Sequence, residues 1–181
     1  MNEKGLSLAI NEITATKDES AKHNLGGTPM LMLFRKILEE CETVDQAEKM
    51  LRVADKTTWF CLTVCDTKGG SVFEVTPKTV ARRDAIKNVC CCTNHFRTDA
   101  LSVTKECARY SKLEVLQKDD AKLGVAEVSK NLHKVCQDNH TVQSMIFEPA
   151  KRIVHVAYGS GDKSATAKPL TVIDLAPIFE R

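Results

Sequence analysis

The chain has eight cysteines, which could serve as nucleophiles, metal ligands or a redox pair. Three of them, Cys90 to Cys92, are consecutive, and neighbours in a strand point to opposite faces, so they do not converge on one ion. Cys61 and Cys65 lie in an apolar, strand-like run rather than in a C-x-x-C turn, which disfavours redox work. A free thiol in such a run behaves as a small hydrophobe. We therefore interpret the cysteines as reduced core residues, and a small cysteine-rich metal or redox protein ranks last among the candidate functions.

Three polar residues occupy places where a site could form. Asn11 ends the first predicted strand, Asn94 follows another, and Arg109 lies on a predicted helix. A side-chain amide can donate N–H bonds to an oxyanion, but an Asn at a strand end is often a turn former and a helical Arg is more often solvated. Both interpretations stay open on these residues alone. No ligand spacing relates the histidines His23, His133, His140 and His155, so we assign them structural or surface positions. We predict no metal and no cofactor.

The length, net charge and composition of the chain argue against several classes of function. A chain of 181 residues suggests one domain over residues 1–181. A net charge of +2 and an aromatic content of 5% argue against nucleic acid as a partner. No apolar run approaches the roughly 20 residues that a membrane span needs. If Met1 is the true start, the lack of a signal-type apolar core after it predicts a cytoplasmic location.

The elements that must position the polar candidates follow from the apolar pattern. Runs typical of strands cover residues 6–11, 59–65, 71–76, 80–83, 89–93, 142–147, 153–158 and 170–175. Amphipathic stretches predict four helices, capped or begun near Thr28, Thr43, Val103 and Val125. Strands that come in blocks joined by hairpins argue against a βαβ repeat. The pattern favours an α+β fold of two antiparallel sheets with helical pairs outside.

Three stretches, taken in order, resemble the acyl-coenzyme A:6-aminopenicillanic acid acyltransferase-like family. They are Asn2 to Asn11 (NEKGLSLAIN), Cys92 to Phe96 (CTNHF) and Arg109 to Leu113 (RYSKL). Val75-Thr76-Pro77 and Phe147-Glu148-Pro149-Ala150 also fit, and the likeness runs roughly from residue 2 to residue 175. This family belongs to the autoproteolytic N-terminal-nucleophile (Ntn) hydrolases and is related to the choloylglycine hydrolases.

The resemblance implies an αββα four-layer sandwich of two antiparallel sheets and hydrolysis or acyl transfer at amide bonds by an N-terminal cysteine. Its thiolate is the nucleophile, and the free α-amine beside it carries the proton. By motif match, Asn94 takes the oxyanion-hole position and Asn11 faces the same pocket. Arg109 matches an arginine that orders the site or binds the substrate. The substrate implied is a small-molecule amide or acyl-coenzyme A.

The sequence departs from the family at its N-terminus, because the stretch that carries the nucleophile in the family has no counterpart here. The first cysteine, Cys41, lies on the apolar face of a predicted helix. We therefore expect an incomplete fold and no turnover by residues 1–181 alone. The expected partner is a separate N-terminal chain or a second copy of this chain. The alternative is a non-catalytic remnant or interaction subunit that keeps the fold.

Overall fold

The computed structural model describes residues 1–118 and 123–180 and has an α+β fold with two antiparallel sheets. The first sheet has its strands in chain order: β1 (Ser7–Glu12), β2 (Phe60–Cys65), β3 (Gly70–Val75) and β4 (Val80–Asp84). The second has β5 (Gln143–Glu148), β6 (Ile153–Tyr158) and β7 (Thr171–Asp174), also in chain order. The two antiparallel sheets that the sequence predicts are confirmed.

Five helices are found in the described part of the chain: α1 (Met30–Glu40), α2 (Val44–Val53), α3 (Ala108–Glu114), α4 (Val125–Lys134) and α5 (Ala176–Phe179). The predicted cap of α2 is present, since the Thr43 hydroxyl accepts a bond from the Gln46 N–H at 3.2 Å. Thr28 was expected to cap α1, but Pro29 is the capping residue. The Thr28 N–H instead donates to the Asp55 carbonyl in an extended segment.

The main core lies between the first sheet and the first two helices. Apolar residues of α1 and α2 pack on the face of the sheet that carries Leu62, Val64 and Phe73. The alternation of side chains along a strand explains why one face of β2 and β3 is used here. The opposite face is covered by the segment that follows β4. Residues of the sheet side and of this segment together form a second hydrophobic cluster. It consists of Ile13, Cys61, Val72, Phe96 and Leu101, with Trp59, Ala81, Cys90 and Cys92 packed against it.

The strand predicted over residues 89–93 is wrong. The segment makes only an isolated bridge between Val89 and Ile86. Side chains take up its carbonyls instead: Gln117 donates to the Val89 carbonyl at 2.9 Å, and Arg83 donates to the Cys91 carbonyl at 3.0 Å. The segment is therefore held over the sheet by side-chain hydrogen bonds and does not extend the sheet.

The third helix is shorter than its apolar pattern indicates. It begins at Ala108 rather than near Val103, and a 3₁₀ turn over Val115–Gln117 continues it. Before the helix, the Ser102 hydroxyl donates to the Thr104 carbonyl at 2.8 Å. Such local side-chain bonds compete with helical hydrogen bonds, which accounts for the late start.

Candidate active site

A cleft of about 620 Å³ lies between the two sheets. On one side it is lined by the four consecutive residues 8–11 of β1, and on the other by the consecutive residues 143–145 of β5. Consecutive residues of a strand point to opposite faces. A wall made of such residues is therefore the edge of a sheet and not one of its faces. Both strands are outermost in their sheets, so in the described residues two unpaired edges line one cleft.

Asn11 and Arg109, two of the three predicted site residues, line this cleft. Asn11 lies near the end of β1, directly opposite Cys61 in the register with β2. Arg109 is half-buried in the first turn of α3. The two residues are 98 positions apart in the sequence (109 − 11), and the fold brings them to one cavity.

Asn94 does not line this cleft but belongs to the lining of a separate small pocket with Thr14 and His95; it bonds Arg109 and the chain neighbour of Asn11. Its side-chain Nδ2 donates to the carbonyl of Glu12, the neighbour of Asn11, at 3.0 Å. Its Oδ1 accepts a bond from the Arg109 guanidinium at 3.0 Å. An amide nitrogen carries two hydrogens, so one N–H of Asn94 remains after the bond to Glu12. The two bonds fix which way the amide points.

A buried ion pair holds the segment that carries Asn94. Glu74 on β3 is fully buried, and its Oε1 accepts a bond from the Arg83 Nε at 2.6 Å. The same carboxylate accepts the backbone N–H of Arg97 at 2.8 Å and of Thr98 at 2.9 Å. Arg83 also binds the Cys91 carbonyl, on the other side of Asn94. One pair thus anchors the segment both before and after the candidate oxyanion residue.

The motif search missed Glu74 and Arg83. The available signal was a carboxylate within an apolar strand, Gly70–Val75, beside a strand rich in arginine. A charge that must be buried needs an opposite charge and further hydrogen bonds. This pattern predicts an ion pair, although it does not say which loop the pair supports.

Two thiols, those of Cys92 and Cys136, also belong to the cleft lining. Burial raises the pKa of Cys136, but bonds from the Thr166 and Ser164 hydroxyls and the Asp138 N–H outweigh it, so the pKa lies below its ordinary value. All eight cysteines are free, and Cys41, Cys61 and Cys91 are among the buried residues. The interpretation of the cysteines as core residues is therefore too broad, since two of them face a cavity.

The cysteine beside this site, Cys107, is the N-cap residue of α3, where its sulfur accepts the Tyr110 N–H at 3.5 Å. Burial alone raises its pKa, and the bonds from Tyr110 and Thr93 bring it below the ordinary value.

His95, whose role the sequence left open, has its Nδ1 buried without a hydrogen-bond partner in the described residues. Within residues 1–118 and 123–180 no group of three or more Cys, His, Asp or Glu is placed to hold a metal ion. None of the described helices has the length and apolar character to cross a bilayer.

Comparison with known families decides the relationship. The profile of the family described as acyl-coenzyme A:6-aminopenicillanic acid acyl-transferase matches residues 1–163. The chain belongs to this family. The match includes all three residues of the candidate site and ends before β7 and α5. A comparison with curated proteins gives no match. Membership in the acyl-transferase family indicates, at a coarse level, acyl transfer or Ntn-type amide hydrolysis with a small-molecule acyl substrate.

Proposed function

We propose that the chain carries the oxyanion-stabilising and substrate-binding part of an Ntn-type amide hydrolase or acyltransferase site. Asn94 and Asn11 act as N–H donors, and Arg109 orients Asn94 and binds the substrate. One observation carries this proposal: a single Arg109 side chain lines the cleft and also donates to Asn94. The hydrogen bond between Arg109 and Asn94 thus connects the proposed acyl-binding cleft to the asparagine that the family motif assigns to the oxyanion hole.

The chemistry assigns a separate task to each residue. When a thiolate adds to an acyl carbonyl, negative charge develops on the carbonyl oxygen, and fixed N–H donors stabilise it. The guanidinium bond to Asn94 Oδ1 draws electron density from the amide, which makes its N–H groups better donors. Asn11 supplies a second amide from the cleft wall. Because Arg109 and Glu12 already orient Asn94, little reorganisation is needed when the charge appears.

The proposed nucleophile is the N-terminal cysteine of a segment other than residues 1–181. In an N-terminal cysteine the α-amine carries the proton, and all eight cysteines lie inside the given sequence, the first of them at position 41. Cys41 is 3% exposed and packs in the main core. We also propose that the complete protein is an αββα four-layer sandwich in which the described residues form the larger part of one domain.

Free cysteine offers a direct test, because it has both a thiol and an α-amine and can enter the cleft in place of the proposed nucleophile. Residues 1–181 are mixed with an acyl-coenzyme A, and release of coenzyme A is followed with and without added cysteine. We expect no turnover without cysteine and accelerated acyl transfer with it. The Asn94→Ala variant should lose roughly 100- to 1,000-fold of that acceleration, the usual cost of one oxyanion donor.

Matched controls separate a site effect from a general one. Asn139 is exposed and is not part of the cleft lining, so Asn139→Ala should keep the acceleration. Arg109→Ala should weaken it, while Arg35→Ala, on an exposed arginine of α1, should not. Acceleration that survives both Asn94→Ala and Arg109→Ala would refute the proposed site. Turnover without added cysteine would refute the proposed external nucleophile.

A second candidate function is a non-catalytic interaction subunit. The two unpaired strand edges that line the cleft favour it, because such edges present free backbone donors and acceptors to another strand. Under this reading, added cysteine has no effect, and a partner chain or a second copy protects the amides of β1 and β5 from hydrogen exchange. Sedimentation of residues 1–181 distinguishes a second copy from a separate chain.

A further inference from the structure

Two cysteines from different parts of the chain meet beside the candidate site. Cys61, on β2, is completely buried in the second cluster, and Cys92 packs against that cluster from the covering segment. The side chain of Cys92 interacts with those of Cys61 and Thr63, and its S–H donates to the Thr93 carbonyl at 3.6 Å. Residues 61 and 63 lie on the same face of β2. The Cys92 sulfur is therefore placed directly over this face.

The two thiols differ in access and in acidity. Cys92 is half-buried and belongs to the lining of the cleft, so a small solute can reach it. The interaction with Cys61 is the main cause that lowers the pKa of Cys92, and the Arg83 guanidinium contributes in the same direction. The same interaction and burial raise the pKa of Cys61 well above the ordinary value. A thiol of lowered pKa that lines the cleft thus lies beside a protected thiol, an arrangement suited to a sensor and its resolving partner.

We propose that Cys61 and Cys92 form a disulfide when a peroxide enters the cleft. The Cys92 thiolate attacks one oxygen of the peroxide, the O–O bond breaks, and Cys92 becomes a sulfenic acid while hydroxide leaves. The Cys61 sulfur then attacks the Cys92 sulfur, the S–O bond breaks, and the Cys61 proton and the hydroxyl group leave as water. Two thiols are oxidised and one peroxide is reduced to two waters. Side-chain rotation must bring the two sulfur atoms to roughly 2.05 Å from each other.

The bond would connect the two elements that hold the candidate site. Cys61 is the cross-strand partner of Asn11, and Cys92 lies two positions before Asn94. Oxidation would therefore fasten the Asn94 segment to the strand beneath Asn11, where the reduced protein has hydrogen bonds and packing. Thiol reductants would reverse it by exchange. This linkage does not depend on the proposed catalytic role, and it is tested without any activity assay.

Hydrogen peroxide is the probe, and mass spectrometry of the intact chain followed by non-reducing peptide mapping is the readout. We expect a mass loss of two hydrogens and a linked pair of peptides containing Cys61 and Cys92. In Cys61→Ser the reaction should stop at a sulfenic acid on Cys92, which dimedone traps. Cys92→Ser should give neither product. Cys65→Ser, on the same strand, is the matched control and should form the linkage as the wild type does.

The wild-type map decides the proposal even if a serine variant fails to fold. A link between Cys65 and Cys90, or over-oxidation of Cys92 without any link to Cys61, would overturn it. Hydrogen exchange supplies a second measurement in the wild-type protein: the amides of residues 93–98 should exchange more slowly after oxidation and recover after reduction. Unchanged exchange in a protein with the Cys61–Cys92 link would overturn the inferred coupling to the Asn94 segment.

Discussion

Replacing Glu74 should be among the most damaging single changes in this chain, and the structure gives the size of the effect. Its side chain is 0% exposed and accepts one bond from the Arg83 guanidinium and two from the backbone N–H groups of Arg97 and Thr98. Removal of one partner of a buried ion pair costs roughly 3–5 kcal/mol. The two N–H groups share this environment, so their separate penalties do not simply add. For Glu74→Ala we expect a loss of about 3–5 kcal/mol of unfolding free energy. At roughly 2–4 °C per kcal/mol for a chain of this length, the melting temperature falls by about 6–20 °C.

Urea denaturation measures the loss, and hydrogen exchange locates it. The amides of Arg97 and Thr98 should become the most accelerated in the Glu74→Ala protein, because their acceptor is removed. Glu74→Gln should lie between Ala and wild type, since it keeps one acceptor oxygen and the volume. Glu39→Ala is the matched control: Glu39 also bonds an arginine at 2.7 Å, but on the exposed surface of α1, and its loss should leave stability nearly unchanged. A loss below about 1 kcal/mol in Glu74→Ala, or unchanged exchange at Arg97 and Thr98, would refute the reasoning.

Two further changes test backbone strain and pH dependence. Gly5 has φ +87°, and a Cβ there would lie 2.5 Å from the Pro149 carbonyl oxygen; Gly161 has φ +60° and open space. Gly5→Ala should therefore cost at least about 1 kcal/mol more in urea denaturation than Gly161→Ala, and equal losses would contradict the close approach. Burial raises the pKa of Asp18, but bonds from Thr76 and other hydroxyls bring it below the ordinary 3.8, so this stabilisation is present above 3.8 and is lost as the pH falls through the folded value. Thr76→Val, which removes the 2.5 Å bond to Asp18, should destabilise more at neutral pH than near about pH 2, and a loss independent of pH would exclude Asp18 as the cause.

Most of the fold could be predicted from local pattern. β2 and the hairpin of β5 and β6 follow from short apolar runs bounded by turn residues, and the α2 cap follows from the spacing of Thr43 and Gln46. The failures share a cause. Residues 89–93 are apolar and β-branched enough for a strand, but the acceptors of this segment are used by Arg83 and Gln117, which lie at other places in the chain. Long-range side-chain bonds of this kind leave no local signal.

The motifs single out Asn11, Asn94 and Arg109 as candidate site residues. Asn11 and Arg109 line one cleft and Arg109 donates to Asn94, while the roles of the three residues stay a prediction. The sequence does not show that Asn94 is shared between the Glu12 carbonyl and the Arg109 guanidinium instead of lining the cleft. It also does not show that Cys92 and Cys136 face the cavity, because an apolar setting hides which side of a segment is exposed.

The open edges of β1 and β5 impose a chemical preference on whatever enters between them. Their outward N–H and C=O groups have no strand partner in the described residues, so water or a bound guest must satisfy those that no side chain reaches. A purely hydrocarbon guest that displaced this water would leave those groups without hydrogen bonds. Each unsatisfied group would cost roughly 1–3 kcal/mol of binding free energy. A guest with its own amide groups can replace the lost water bonds one for one. The backbone groups of the two edges therefore favour a guest that can form hydrogen bonds with them, such as an extended peptide.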